Sequence, residues 1–338
     1  ATQAMMNKKE ITHMCTSFTL TAHGQTFFAR TMDFAFLLDG APIVMPREYQ
    51  WSLQLGGQVT NTYGFVGTGK QLEEFLFIDG VNEKGLAIAE LYFSNEAVYC
   101  EYTAEKINLA PHELLHWVLG NVADISDLYQ KISRINLVQV ETALLGITVP
   151  LHFIVTDTTG RCVVIETNRG FIEIKENPIG VMTNSPELEW HVKNIGNYLA
   201  ARPANFPPAT VNGVEVLPFG LGNGTSILPG GLTSPERFVR TVYNKQFVNV
   251  GETAEETVNA MFHLLNNATI PKGLMVEDNG QSEYTQYRVV YNVTNGTYYF
   301  NPYETQEVFS LELKKEWLQL KQPRIFAVAK SFTTKTMV

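Results

Sequence analysis

Nowhere does an apolar run approach the ~20 residues that a membrane-spanning helix requires. The first fourteen residues, ATQAMMNKKEITHM, also lack the apolar stretch of a secretory signal. The expectation is a cytoplasmic protein with no membrane partner. Positive charge is in short supply, with 25 Lys and Arg against 34 Asp and Glu, a formal −9. That balance argues against a nucleic-acid or anionic-membrane binder and leaves small molecules as the expected partners. Cysteine is scarce, three residues in 338. An odd and small number builds no disulfide framework, which points to a reducing compartment or to one reactive thiol. Internal repeats are missing, and Gly67-Thr68-Gly69-Lys70 lacks the spacing of a phosphate-binding loop. What is present is 45% hydrophobic residues against 17% charged, enough to bury a large core.

Residues 1 to 14 are polar, without a clear period, and end at Met14-Cys15, so they read as a leader, a propeptide or a cloning remnant. From Cys15 the pattern is that of strands. CTSFTL and TFFAR flank a His23-Gly24-Gln25 turn, forming a hairpin whose second arm runs into Asp33. PIVM, WSLQL, YGFVG, EFLFI and LAIAELYF follow, separated by Gly, Pro and Asn. Residues 111–133 read as two helices broken near Gly120-Asn121, with Pro111 suited to a first turn. Strands return at LHFIVTD, CVVIET and FIEIKE. Residues 186–199, 234–247 and 252–267 read as helices, with Ser234 and Thr253 as expected caps. A Pro- and Gly-rich loop spans 201–231, and QYRVVYNV and TYYFNPY close the β pattern. Strands, then helices, then strands again suit packed sheets covered by helices.

His112-Glu113-Leu114-Leu115-His116 matches H-E-x-x-H, in which two His one helical turn apart hold zinc and Glu serves as base. The alternative is an ordinary core-facing helix that happens to spell the motif. It is preferred because Glu141, the nearest carboxylate in an apolar run, makes a poor third ligand. Cys100 and Cys162 read as small buried hydrophobes. Cys15 differs because removal of residues 1–14 would make it an N-terminus. Its α-amine, with an unperturbed pKa of about 8, could then take the thiol proton with no catalytic His. Sequons at Asn223, Asn267, Asn292 and Asn295 read as chance in a chain with no secretory signal.

Cys15-Thr16-Ser17 with Phe28-Ala29-Arg30-Thr31-Met32-Asp33-Phe34 resembles the opening of the choloylglycine hydrolase family, cysteine hydrolases with an N-terminal nucleophile that include penicillin V acylases and conjugated bile salt hydrolases. Further motifs recur in order: Met45-Pro46-Arg47-Glu48-Tyr49, Asp79-Gly80-Val81-Asn82-Glu83-Lys84-Gly85-Leu86, Gly180 to Pro186, Leu228-Pro229-Gly230, and Arg237-Phe238. The resemblance covers residues 15 to 312. Two departures are Gly231, where the family has Asp, and ELEWHV after Ser185-Pro186.

The resemblance implies an α+β fold, a four-layer αββα sandwich in one domain over residues 15–338, and a homotetramer. It implies a cofactor-free and metal-free amidase acting on a small acyl-amide. Cys15 would attack, Arg30 would favour the thiolate, Asp33 would hold the α-amine, and Arg237 would complete the polar network. Asn184's side-chain amide and the backbone N–H of Tyr92 would receive the oxyanion. Tyr at position 92 favours penicillin V acylase activity over the alternatives, conjugated bile salt hydrolase or N-acyl homoserine lactone acylase. The competing classes are a zinc peptidase using His112 and His116, and a non-catalytic ligand binder. A chain that keeps residues 1–14 would be an inactive precursor, because Cys15's nitrogen would still be a peptide amide.

Overall fold

The structure is a computed structural model that describes residues 13–142 and 144–337. The expected leader at 1–14 therefore lies outside the described residues except for His13 and Met14. Two largely antiparallel sheets stack face to face. The first has seven strands, of which Val181–Met182, Cys15–Ala22, Gln25–Phe34, Ser282–Asn292, Thr297–Pro302 and Phe309–Glu312 are neighbours in that order. The second has eight, running Glu173–Glu176, Cys162–Glu166, Leu151–Asp157, Leu86–Tyr92, Phe75–Asn82, Phe65–Gln71, Ala41–Met45 and Arg324–Ile325. Helices Ser234–Phe247 and Ala254–Asn266 pack on the outside of the first sheet, and Leu114–Asn121 and Ile125–Lys131 on the second. This is the expected αββα sandwich, and both sheets feed one hydrophobic cluster.

The central strands carry apolar side chains toward both neighbouring layers, so they read as nearly continuous buried runs instead of clean alternations. Leu114–Asn121 buries Leu114, Leu115, Trp117, Val118 and Leu119. At roughly 1.5–3 kcal/mol for each large apolar side chain, packing rather than propensity holds this two-turn helix. It lies close to the strands beneath it because Gly67 and Gly80 face each other there. A Cβ on Gly67 would stand 2.2 Å from the Asp79 carbonyl oxygen, and one on Gly80 would stand 2.6 Å from Leu119 Cδ1. Gly67 and Gly69 of the GTGK stretch are thus packing glycines inside a strand.

Some boundaries move. The 111–133 region breaks at 122–124, after a short 3-10 turn and the helix Leu114–Asn121. Thr233, not Ser234, caps the helix Ser234–Phe247, in a capping box with Glu236. Thr253 caps Ala254–Asn266 as expected, accepting from the Glu256 N–H. The 201–231 loop holds a small hairpin, Ala209–Val211 with Val214–Val216. The edge strand Arg324–Ile325, beyond the resembling region, was not anticipated. No helix among the described residues is long and apolar enough to cross a membrane.

Candidate active site

Cys15 opens an interior strand and pairs with Met32 across the ladder, while Ser17 pairs with Arg30. Because side chains alternate along a strand, Cys15, Arg30 and Met32 share the face toward the second sheet, and Thr16, Thr31 and Asp33 share the face toward the helices. The thiol and the carboxylate are therefore separated by the strand itself. Arg30 Nη2 lies 3.0 Å from Cys15 Sγ. Its other nitrogens are fixed by carbonyls, Nη1 donating to Ile78 O at 2.9 Å and Glu90 O at 3.1 Å, and Nε to Thr31 O. Arg30 is fully buried, and its charge faces Asp79, with Nη1 at 3.6 Å from Oδ2. Asp79 in turn accepts from the hydroxyls of Tyr287 and Tyr291. Burial pushes the Cys15 thiol up to about 11, with the Arg30 guanidinium pulling the other way.

On the opposite face, Asp33 accepts from Thr31 Oγ1 at 3.0 Å and Thr285 Oγ1 at 2.5 Å. Thr285 can face Asp33 while Tyr287 reaches Asp79 because a bulge at Gln286 shifts the register between them. Burial pushes the Asp33 carboxyl up to about 7, against the pull of Arg237 and the Thr285 hydroxyl. Arg237 reaches down from its helix and donates to Cys15 O, Thr16 Oγ1 and Asn184 Oδ1.

Asn184 ties the two sheets together. Its Nδ2 donates to Tyr92 O at 2.9 Å, and its Oδ1 accepts from the Cys15 N–H at 2.8 Å. Ser234, displaced from its expected capping role, accepts from the Asn184 N–H through its hydroxyl. All six residues singled out from sequence, Cys15, Arg30, Asp33, Tyr92, Asn184 and Arg237, thus converge on one place. In this chain Cys15 N is a peptide nitrogen joined to Met14 and is held by Asn184, not by Asp33. The supporting residues Asp79, Tyr287, Thr285 and Ser234 went unrecognised, although Asp79 opens the D-G-x-N-E-K-G-L stretch.

His13 and Met14, the two residues ahead of the nucleophile, are packed into the surroundings of the site. The His13 ring stacks on Phe34 at 3.6 Å and meets Tyr92 edge-on at 4.6 Å. The Met14 N–H donates to Glu283 Oε1 at 2.5 Å, and Met14 Sδ lies 3.6 Å from Arg237 Nη2.

The H-E-x-x-H stretch lies elsewhere. Glu113 accepts from the N–H groups of Ala110 and Gln54, which ties it into the local backbone. His116 is stacked on Trp51 at 4.1 Å, with Nε2 against Asn61. Burial pushes His112 down to about 4 and His116 to about 3. Both packing and bonding are those of a core helix.

A thiol at the head of an interior strand, in a sandwich of two sheets between helices, is the arrangement of the N-terminal-nucleophile hydrolases. The profile described as linear amide C–N hydrolases, choloylglycine hydrolase family, matches residues 15–326, and the chain belongs to that family. It is an amidohydrolase acting on linear amides of small acyl substrates. A bile salt hydrolase/transferase of Lactiplantibacillus plantarum is 31% identical over 306 residues, covering 90% of this chain and 94% of the relative. A penicillin V acylase of Pectobacterium atrosepticum is 24% identical over 332 residues, covering 89% and 81%. Among solved structures, a conjugated bile acid hydrolase from Clostridium perfringens superposes with a TM-score of 0.88 at 27% identity, covering 96% of this chain and all of that one.

Proposed function

We propose that the chain is a hydrolase of conjugated bile salts that acts through Cys15 once the Met14–Cys15 peptide bond has been opened. The observation that carries the mechanism is the pairing of Cys15 Sγ with Arg30 at 3.0 Å while the nitrogen of the same residue rests on Asn184. Hydrolysis of the bond, in which water supplies the hydroxyl of a new Met14 carboxyl and the hydrogen of the freed nitrogen, turns that nitrogen into an amine, which takes the thiol proton. The thiolate, balanced by Arg30, attacks the substrate carbonyl carbon. Asn184 Nδ2, turning from Tyr92 O, and the Tyr92 N–H receive the oxyanion. Collapse breaks the C–N bond, and the leaving amine takes the proton back. Water, giving a proton to the same α-amine, then cleaves the thioester and restores the thiol. Asp33 and Arg237 hold the geometry and charge around the amine.

Sequence similarity supports the choice of substrate, since the match to the bile salt hydrolase is higher in identity and in coverage of the relative than the match to the penicillin V acylase. This ranking departs from the expectation drawn from Tyr92. Penicillin V is the second reading, favoured by the buried Tyr92 and Phe34 rings, which meet edge-on at 5.8 Å. Parallel hydrolysis of glycocholate and penicillin V tests the assignment. Glycocholate is expected to give a kcat/KM at least about tenfold higher, corresponding to ~1.4 kcal/mol in the transition state. The reverse ratio would make the chain a penicillin V acylase. Turnover surviving Cys15→Ala would end the nucleophile assignment, and binding without release of free amine would make the chain a non-catalytic binder.

Residues 15–338 are proposed to fold as one domain, which the shared core supports. Assembly into a homotetramer is proposed from the 201–231 loop, where Phe219 and Leu221 are almost fully exposed beside Val211, Val214 and Leu217.

A further inference from the structure

We propose that His13, Glu277 and Glu283 form a binding site for a divalent transition-metal ion, zinc being the best match, that exists only while His13 remains joined to Cys15. His13 Nδ1, one oxygen of Glu277 and one of Glu283 lie within 4.8 Å of one another, the one such group among the described residues. His13 is 97% removed from solvent, yet its Nδ1 has no hydrogen-bond partner. That nitrogen points at Glu283 Oε2 at 3.7 Å and Glu277 Oε1 at 4.0 Å, both beyond hydrogen-bond reach. Glu277 Oε1 is likewise buried and unpartnered.

An orphaned imidazole nitrogen and an orphaned carboxylate oxygen are costly when buried, and a shared cation would satisfy both. Ligand atoms about 2.1 Å from a tetrahedral zinc ion stand roughly 3.4 Å apart, so donors that lie within 4.8 Å of one another need to close by about 1.4 Å at most. One imidazole and two carboxylates suit a borderline cation such as zinc, and two negative charges offset the ion's. The Glu277 side chain is 22% exposed, which leaves an approach from solvent and a fourth position for water. The ring is held in place by Phe34 and Tyr92, so the donor is oriented before any ion arrives.

The three ligands come from two places. His13 belongs to the segment ahead of the nucleophile, while Glu277 and Glu283 flank the turn into the strand Ser282–Asn292. A bound ion would therefore clamp the segment that leads directly into Cys15 against the strand that carries Glu283. Glu283 reinforces the clamp, because its other oxygen already holds the Met14 N–H. Opening of the Met14–Cys15 bond would be slowed while the ion is bound, and departure of His13 would dissolve the site. This consequence for processing rests on the proposed cleavage, but zinc binding itself does not.

The test uses the full chain carrying Cys15→Ala, confirmed by intact mass to retain His13, which removes the thiol as a competing ligand. Calorimetric titration with zinc chloride after chelator treatment is expected to show one equivalent bound. Affinity should fall at least tenfold on adding His13→Ala and also on adding Glu277→Gln, whose partly exposed side chain leaves the fold intact. No zinc uptake, or uptake unchanged in both variants, overturns the site. In the chain with Cys15 restored, intact mass is followed with and without zinc. Zinc should slow the appearance of the species beginning at Cys15 several-fold, and His13→Ala should abolish that delay. A delay that persists in His13→Ala overturns the clamp. A chain that never opens at Met14–Cys15 overturns the processing reading, while the titration decides the zinc site separately.

Discussion

Asp33 is a carboxyl group held in a place that penalises its charge. Burial raises it to about 7 from the ordinary 3.8, so the folded chain binds its proton more tightly than the unfolded chain does. The stability contributed by the protonated form is fully present below about pH 4 and is lost as pH rises through about 7. Above that pH the buried charge costs on the order of 4 kcal/mol relative to an unperturbed carboxyl. Asp33→Asn should therefore unfold at a higher temperature than the unchanged chain at pH 8, and the difference should shrink toward pH 5. Melting curves at the two pH values check this, and an equal gap at both would remove Asp33 as the titrating group. The same substitution should abolish amide hydrolysis, because the amine formed from Cys15's nitrogen would lose its counter-charge. That combination, more stable and inactive, is the signature of a residue kept for chemistry at the expense of the fold.

At the level of elements, the site depends on irregularities in otherwise regular strands. The bulge at Gln286 sends Thr285 and Tyr287 to opposite faces, and the Gly67–Gly80 pair lets a helix settle above Asp79. Gly67→Ala would push a Cβ against the Asp79 carbonyl at 2.2 Å, where no flexible side chain can yield. A loss of about 1–3 kcal/mol is expected, read as a lower urea midpoint at an unchanged slope. Activity should fall further than stability accounts for, since Asp79 positions Arg30. The strands and helices themselves were largely legible, because the apolar runs and the Thr253 cap are local signals. The residues around the thiol became legible only through motif order, since nothing local marks Asn184 or Arg237, whose contacts with Cys15 span 169 and 222 residues. Ser234 illustrates the limit. Its place next to Pro235 reads as a cap, but its hydroxyl is taken by Asn184, and Thr233 one residue earlier does the capping.

For the whole molecule, the 201–231 loop is the feature most out of keeping with an isolated subunit. Phe219 and Leu221 are bare to solvent, whereas the large apolar side chains of the two sheets are almost all buried. Light scattering of the purified chain is expected to give the mass of a tetramer, and Phe219→Asp with Leu221→Asp should shift it to smaller species without changing the melting of the core. A tetramer indifferent to both changes would place the subunit contacts on another face. The location of Cys15 has a broader consequence. The end of a chain is ordinarily its loosest part, fraying and open to exopeptidases. A chain trimmed to Cys15 would instead begin inside a sheet, with the Gln25–Phe34 strand on one side and Val181–Met182 on the other. Aminopeptidases draw an extended terminus into their own clefts, so they would first have to unzip the strand from its neighbours. The reactive end would thus be shielded from trimming by the same ladder that aims it.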